Sequence, residues 1–353
     1  MKFRSVSIAL VFVLMVTMLA ACAPAAPEAA APDAPAAVAD EPAEMRTYYM
    51  VSSHQAHPYF ADSHLALRYA AEYFQVNIVA AGPEGWDTQA QADAIEVAVA
   101  NQADGIITRM WDDSPAEAVK TAMAAGIPVI MTETRTAVNP GLTYIGLDNY
   151  QCGRDTAKEL IERAGTTGSV ALMGNWGAAN TDAKLAGVKD YLAEYSEWEV
   201  VVEADDKAAT ADAIEAAKSV FNNYPDVDAV VGLDSSSGTG IALAMEELDI
   251  AAGSVKVVVH DREPATLEYI AKGYIDATLI NKTATDEYMA ILIMEDWNNG
   301  GLKDIPVSSD NEAAGVNPVP ENMYNTAAVI DADNVDFFVA ENMPTFDTSL
   351  YNY

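Results

Sequence analysis

The chain has 353 residues, half of them hydrophobic, and carries 53 acidic against 19 basic side chains for a formal charge of −34. That apolar fraction is ample for packed cores and excludes an acidic disordered chain, while the length favours two domains over one. The negative surface argues against nucleic acid or anionic lipid headgroups as partners.

In chain order, Lys2 and Arg4 precede an apolar run from Ile8 to Ala21 broken only by Thr17. Fourteen residues suit the hydrophobic region of a signal peptide rather than a membrane span. The run ends Leu19-Ala20-Ala21-Cys22, which resembles a bacterial lipobox and predicts cleavage after residue 21 and lipidation of Cys22. Residues 22–44 then form a linker; positions 23–44 hold eleven alanines, five prolines and five acids, a composition that buries no core. Cys152 is left as a small buried residue near a helix start, with no disulfide framework to join.

From Tyr48 onward short β-branched runs alternate with amphipathic stretches. Strands are expected at 47–53, 75–81, 104–109, 127–132 and 143–147, then at 168–174, 197–203, 227–233, 254–260 and 275–281. Between them lie helical stripes such as Ala66, Tyr69, Ala70, Tyr73 and Ala157, Leu160, Ile161, Ala164. The pattern reads as βαβ units in an α/β fold of two doubly wound parallel-sheet lobes joined by strand-crossing hinges near 148 and 281. The phrases Ala-Asp-Gly-Ile-Ile (103–107) and Val-Asp-Ala-Val-Val (227–231) occupy matching places in the two halves. The expected lobes are 46–147 with 282–310, and 148–281 with 311–345.

Open parallel sheets bind ligands beyond the carboxyl ends of their strands. Polar and aromatic residues collect there: His57, Tyr59 and Phe60 after the first strand, Glu133 and Arg135 after the fourth, Trp176 and Lys184 after the sixth. Asp234 follows the eighth, Asp261 the ninth and Asn281 the tenth. Aromatic faces cover apolar C–H surface while carboxylates, amides and cations bracket hydroxyls, which is the chemistry of a polyhydroxylated ligand. Several of these residues also have a plainer reading, though Glu133 has no obvious helix to cap. Asp234 and Asp261 stand where helix N-caps belong, and Tyr59 and Phe60 where a helix begins.

Across residues 46–340 the sequence resembles the ribose-type (type I) periplasmic sugar-binding proteins of ABC importers, in a lipoprotein form. The resemblance rests on His57-Pro58-Tyr59-Phe60, on Gly126-Ile127-Pro128-Val129 followed by Glu133, and on Asp148-Asn149 before Gly153. It rests also on Lys184 before Gly187, Asp234-Ser235, Val259-His260-Asp261, Asn281, and the tail from Thr326 to Phe338. It implies a ligand held between lobes by His57, Tyr59, Phe60, Glu133, Lys184, Asp234, Asp261 and Asn281, with Arg135 and Trp176 as further candidates. It also implies delivery of a sugar or polyol to an ABC permease, or alternatively signalling to a chemoreceptor or sensor kinase, by a monomer anchored outside the cell membrane. The departures bear on the ligand. Lys184 stands in the place of an arginine, Glu133 and Asp234 differ from the aspartate and amide of the pattern, and Ala208 replaces a stacking aromatic.

Catalytic and cofactor readings have little support. His54 and His57 lack a second ligand pair of regular spacing, Gly238-Thr239-Gly240 lacks the third glycine of a dinucleotide loop, and Gly-x-Ser-x-Gly is absent. Asp331 to Asp336 departs from a calcium loop at its turn glycine. No enzyme activity, cofactor or metal is expected.

Overall fold

Ten of the strands lie where the β-branched runs predict them, in two sheets. The computed structural model describes residues 45–305 and 315–339; the expected signal peptide, Cys22 and the expected linker lie outside the described residues. The first lobe opens with β1 (Thr47–Val51), α1 (Ala61–Phe74), β2 (Asn77–Ala81), α2 (Thr88–Ala100), β3 (Gly105–Thr108), α3 (Ala116–Ala124), β4 (Val129–Thr132) and β5 (Thr143–Leu147). The second follows with α4 (Asn149–Ala164), β6 (Thr167–Gly174), α5 (Ala179–Tyr195), β7 (Glu197–Asp205), α6 (Thr210–Asn223), β8 (Ala229–Gly232), α7 (Ser235–Glu247), β9 (Lys256–His260), α8 (Pro264–Ala271) and β10 (Ala277–Ile280). The chain then returns with α9 (Thr283–Asn298), which packs on α1 and on β3 to β5 of the first lobe. β11 (Asn322–Asn325) and β12 (Ala328–Asp331) follow.

The sheet orders are β11-β5-β4-β3-β1-β2 and β12-β10-β9-β8-β6-β7. The central strands β3, β4, β8 and β10 are buried at every residue, because helices cover both faces of a parallel sheet. β7 is an edge strand and turns Glu197, Glu199 and Glu203 outward or to the rim, charges that discourage pairing with another chain. The repeated aspartates of the two halves do the same work. Asp104 accepts from the Thr47 amide at 2.7 Å and Asp228 from the Ser169 amide at 2.8 Å, each tying a neighbouring strand to the start of a central one.

One expectation is corrected. Residues 311–345 do not join the second lobe as a block: β11 pairs parallel with β5 in the first sheet, and β12 pairs antiparallel with β10 in the second. Only Thr326 and Ala327 separate them. The carboxyl ends of the two sheets face each other, so a chain running straight from one to the other is parallel in the first and antiparallel in the second. This makes a third crossing beside those at Asp148 and Asn281. On α1, the stripe Ala66, Tyr69, Ala70, Tyr73 is also revised: Ser63, Leu67 and Ala70 are buried, while Tyr69 and Tyr73 are exposed and stack on each other at 6.1 Å.

Gly153 and Gly187 meet where α4 crosses α5. A Cβ on Gly153 would lie 2.0 Å from the Lys184 carbonyl oxygen, and one on Gly187 2.0 Å from that of Tyr150. Only glycine permits this backbone approach, and it sets the position of Lys184.

Candidate functional site

The carboxyl ends of β1 to β4 and β6 to β9 enclose a cavity of ≈ 560 Å³. His57, Tyr59, Phe60 and Glu133 line it from the first lobe, and Trp176, Lys184, Asp234 and Asp261 from the second. Two expected residues do not line it. Asn281 stands behind Glu133, and its amide is consumed there. Arg135 turns away: it donates to the Thr136 carbonyl and the Tyr324 hydroxyl, both at 3.2 Å, and sits 5.6 Å from the Tyr144 ring.

The first-lobe wall is aromatic. Trp86 and Trp111, beyond β2 and β3, pack at 5.5 Å between ring centroids, and Trp111 leans on Phe60 at 6.4 Å. Phe60 meets Tyr59 edge-on at 5.2 Å, a preferred arrangement of ring quadrupoles. Behind it the Arg109 guanidinium lies 4.2 Å over the Phe60 ring and pairs with Glu287 at 2.6 Å, both side chains 1% exposed. The cation fixes the ring from the rear. Both tryptophans escaped the sequence reading, which took the residues after the first and fourth strands and passed over the second and third. Applied there, the same strand-end rule finds them.

Glu133 closes this wall. It sits at φ +67°, in the left-handed region, as the residue after β4. Tyr59 Oη donates to its Oε1 at 2.7 Å and Asn281 Nδ2 to its Oε2 at 2.9 Å. Burial, then the Glu133 charge, holds the Tyr59 hydroxyl well above its ordinary range, so it remains a donor. His57 Nδ1 accepts from the Tyr59 amide at 3.2 Å, and burial followed by the neighbouring His54 lowers its pKa, which keeps the ring neutral.

The second-lobe wall is polar and less complete. Lys184 is 5% exposed, and its ammonium reaches only the Leu233 carbonyl, at 3.5 Å. No carboxylate among the described residues lies within ion-pair distance of it. Asp261 is at φ +71° after β9, and no described side chain or amide donates to its carboxylate. Its pKa is pushed up to about 7, chiefly by burial; Lys184 pulls against this, and Glu133 and Asp234 add to it. Asp234 caps α7, accepting from the Ser236 amide at 2.9 Å, and its residue lines the cavity as well. Burial raises its pKa too. Behind it Asp206, unmarked in the sequence, accepts from Ser237 Oγ and from the Ala208 amide, and burial followed by Asp234 pushes it up to about 7. Ala208 does line the cavity, in the place expected to lack an aromatic. Asn180 Oδ1 and the indole nitrogens of Trp111 and Trp176 are buried without partners.

The lobes also touch directly. The Ala179 amide donates to the Trp111 carbonyl at 3.2 Å, and Arg262 pairs with Asp62 across the cleft mouth. Among the described residues no group of three or more His, Cys, Asp or Glu side chains is placed to hold a metal ion.

A family model described as a periplasmic binding protein domain matches residues 48–302. The chain belongs to that family. It is a binding protein rather than an enzyme. A relative, the xylose/arabinose-binding protein XylF of Sulfolobus acidocaldarius, is 25% identical over 241 residues, which cover 63% of this chain and 58% of that protein. The match therefore spans less than two thirds of the relative's length. Among solved structures, a sugar-binding protein of a sugar ABC transporter from Bacillus halodurans superposes with a TM-score of 0.75 at 22% identity, covering 83% of this chain and 100% of that one. AraP, an arabinose-binding protein from Geobacillus stearothermophilus, gives 0.72 at 24%, covering 84% and 99%. At such identities the likeness establishes the fold, a type I two-lobed binding protein.

Proposed function

We propose that the protein is an extracytoplasmic, lipid-anchored solute-binding protein that holds a monosaccharide-like ligand between its lobes and delivers it to an ABC import permease. The observation that carries this reading is the unequal cleft: an aromatic wall whose Glu133 is held by Tyr59 and Asn281 faces a polar wall where the Lys184 ammonium reaches only the Leu233 carbonyl and the Asp261 carboxylate has no donor among the described residues. A ring with C–H surface on one side and hydroxyls on the other complements both. The names of XylF and AraP, which specify xylose and arabinose for those proteins, support a sugar of this size. Lipidation at Cys22 rests on the lipobox resemblance, and Ala/Pro-rich residues 22–44 would tether the head near its permease at high effective concentration.

The test is a thermal-shift and tryptophan-fluorescence screen of D-xylose, L-arabinose, common hexoses, polyols and amino sugars. A ligand at a hundredfold its Kd is expected to stabilise the head by about 2.7 kcal/mol. Trp86, Trp111 and Trp176 line the cleft and should report the same ligand by fluorescence. Failure of every compound in both measurements overturns the sugar reading. Permease and ATPase genes beside this one favour import; a sensor kinase gene in their place favours the signalling alternative.

A further inference from the structure

Three crossings join the lobes, and a polar cluster outside the cavity lies on two of them. Asn281, at the second crossing, donates one amide proton to Glu133 and the other to Asp286 Oδ2 at 3.1 Å. Asp286, on the first turn of α9 and 1% exposed, meets Asn325 Nδ2 through Oδ1 at 2.5 Å. Asn325 is the last residue of β11, at the third crossing. Its own Oδ1 is buried without a partner. Turning that amide over sets Oδ1 against Asp286 at the separation of an O–H···O bond, with a protonated Asp286 as donor.

We propose that Asp286 is a positioning residue that carries the state of the cleft to the hinge, holding Glu133 through the Asn281 amide and the third crossing through Asn325. Any movement of the Glu133 carboxylate changes how Asn281 divides its two protons, and Asp286 passes that change to β11. The effect on affinity rests on the reading of the cleft as the ligand site; the mechanical link does not. Burial, then Glu133 and Glu287, pushes Asp286 up to about 8, so it is mostly the neutral donor at pH 7. The titratable and charged groups around it are Glu133 beyond β4, Glu287 on α9 paired with Arg109 from the end of β3, and Tyr144 of β5 with Arg135 beside it. Above pH 8 two carboxylates would share one amide, and the link should slacken.

The test is amide hydrogen exchange on the full chain without any sugar, comparing wild type with Asp286→Ala, Asn325→Ala and the neutral isostere Asp286→Asn. The two alanine variants should speed exchange about tenfold in peptides covering 129–136 and 322–329, the loss of roughly one good buried hydrogen bond, with exchange in β8 unchanged; Asp286→Asn, which can still accept from Asn281 and donate to Asn325, should match wild type at pH 7. Wild type should show the same loosening between pH 7 and 9 after correction for intrinsic rates, and Asp286→Asn should not. Glu133→Gln should in turn loosen 322–329, since coupling is reciprocal. Loosening of 322–329 alone, with 129–136 unchanged in both alanine variants, would make Asp286 a local brace and overturn the proposal. If Asp286→Ala fails to fold, Asn325→Ala decides. Failure of all sugars to bind would sink the proposed function and leave these readouts intact.

Discussion

Glu133 and Asp261 hold matching places in the two lobes. Each is the residue beyond the third strand of its sheet order, each takes a left-handed φ, and each is 8% exposed. A non-glycine residue in that region carries local strain of order 1 kcal/mol or more, which the sheet ends impose in order to aim both carboxylates into the cleft. Their surroundings differ. Glu133 is fixed by Tyr59 and Asn281 before any ligand arrives, whereas Asp261 has no donor among the described residues and faces Asp234 and the ammonium of Lys184 at a distance. Glu133 finds its donors within the protein. Asp261 does not.

The largest expected effect separates the two residues by stability and by binding. Glu133→Gln replaces a charge-assisted acceptor by an amide that cannot satisfy both Tyr59 and Asn281, and should destabilise the sugar-free head by about 1.5–3 kcal/mol in urea titration. Asp261→Asn removes a buried carboxylate without a donor, and asparagine tolerates the left-handed backbone. It should leave the sugar-free head as stable as wild type at pH 8, or more so, yet weaken binding of any sugar found in the screen by about 1.5–3 kcal/mol, roughly ten- to a hundredfold. Equal destabilisation by both substitutions would erase the distinction between the walls.

A second prediction is the pH response of the buried aspartates. Burial raises Asp206 and Asp261 to about 7 and Asp286 to about 8, from an ordinary 3.8. Between pH 4 and those values the folded chain holds protons that the unfolded chain has lost. Stability from these groups is therefore present at low pH and declines as pH rises towards 8, by at most about 1.4 kcal/mol per pH unit for each group. The sugar-free head should melt at a higher temperature at pH 5 than at pH 8, and Asp261→Asn should flatten part of that slope. A hydroxyl donating to Asp261 favours its ionised form, so sugar binding should release protons and tighten as pH rises from 6 to 7.5. Calorimetry in two buffers of different ionisation enthalpy measures that release; none near pH 7 would mean that the ligand does not engage Asp261.

Much of this frame was legible because central parallel strands are buried on both faces. They leave β-branched runs such as Val230-Val231 in β8 and Val257-Val258-Val259 in β9, and the strand ends then place most of the residues that line the cavity. β11 left no such mark: Asn322-Met323-Tyr324-Asn325 has no β-branched residue, and its lobe is fixed only by pairing with β5. Side-chain direction was equally hidden. Arg135 follows Glu133 by two residues and points away, and Asn281 serves Glu133 from behind rather than lining the cavity. Asp206 carries no signal in the chain, since its burial depends on α7 bringing Ser237 onto it.

The smallest expected effect concerns the contact that joins the two walls. Asp62 at the start of α1 and Arg262 after β9 form an ion pair across the cleft mouth, with side chains 33% and 29% exposed. Such a half-exposed pair contributes about 0.2–1 kcal/mol and is weakened by salt. It acts only when the lobes are together, so it biases the open–closed equilibrium while leaving the interior of each lobe alone. Asp62→Asn should therefore leave the melting temperature of the head nearly unchanged, raise the radius of gyration of the sugar-free protein in solution scattering, and weaken sugar binding by no more than about fivefold. High salt should move the wild type towards the variant and the variant hardly at all. A variant whose scattering matches wild type at low salt would show that the backbone bond from Ala179 to Trp111 and the crossings hold the lobes together without help from the pair.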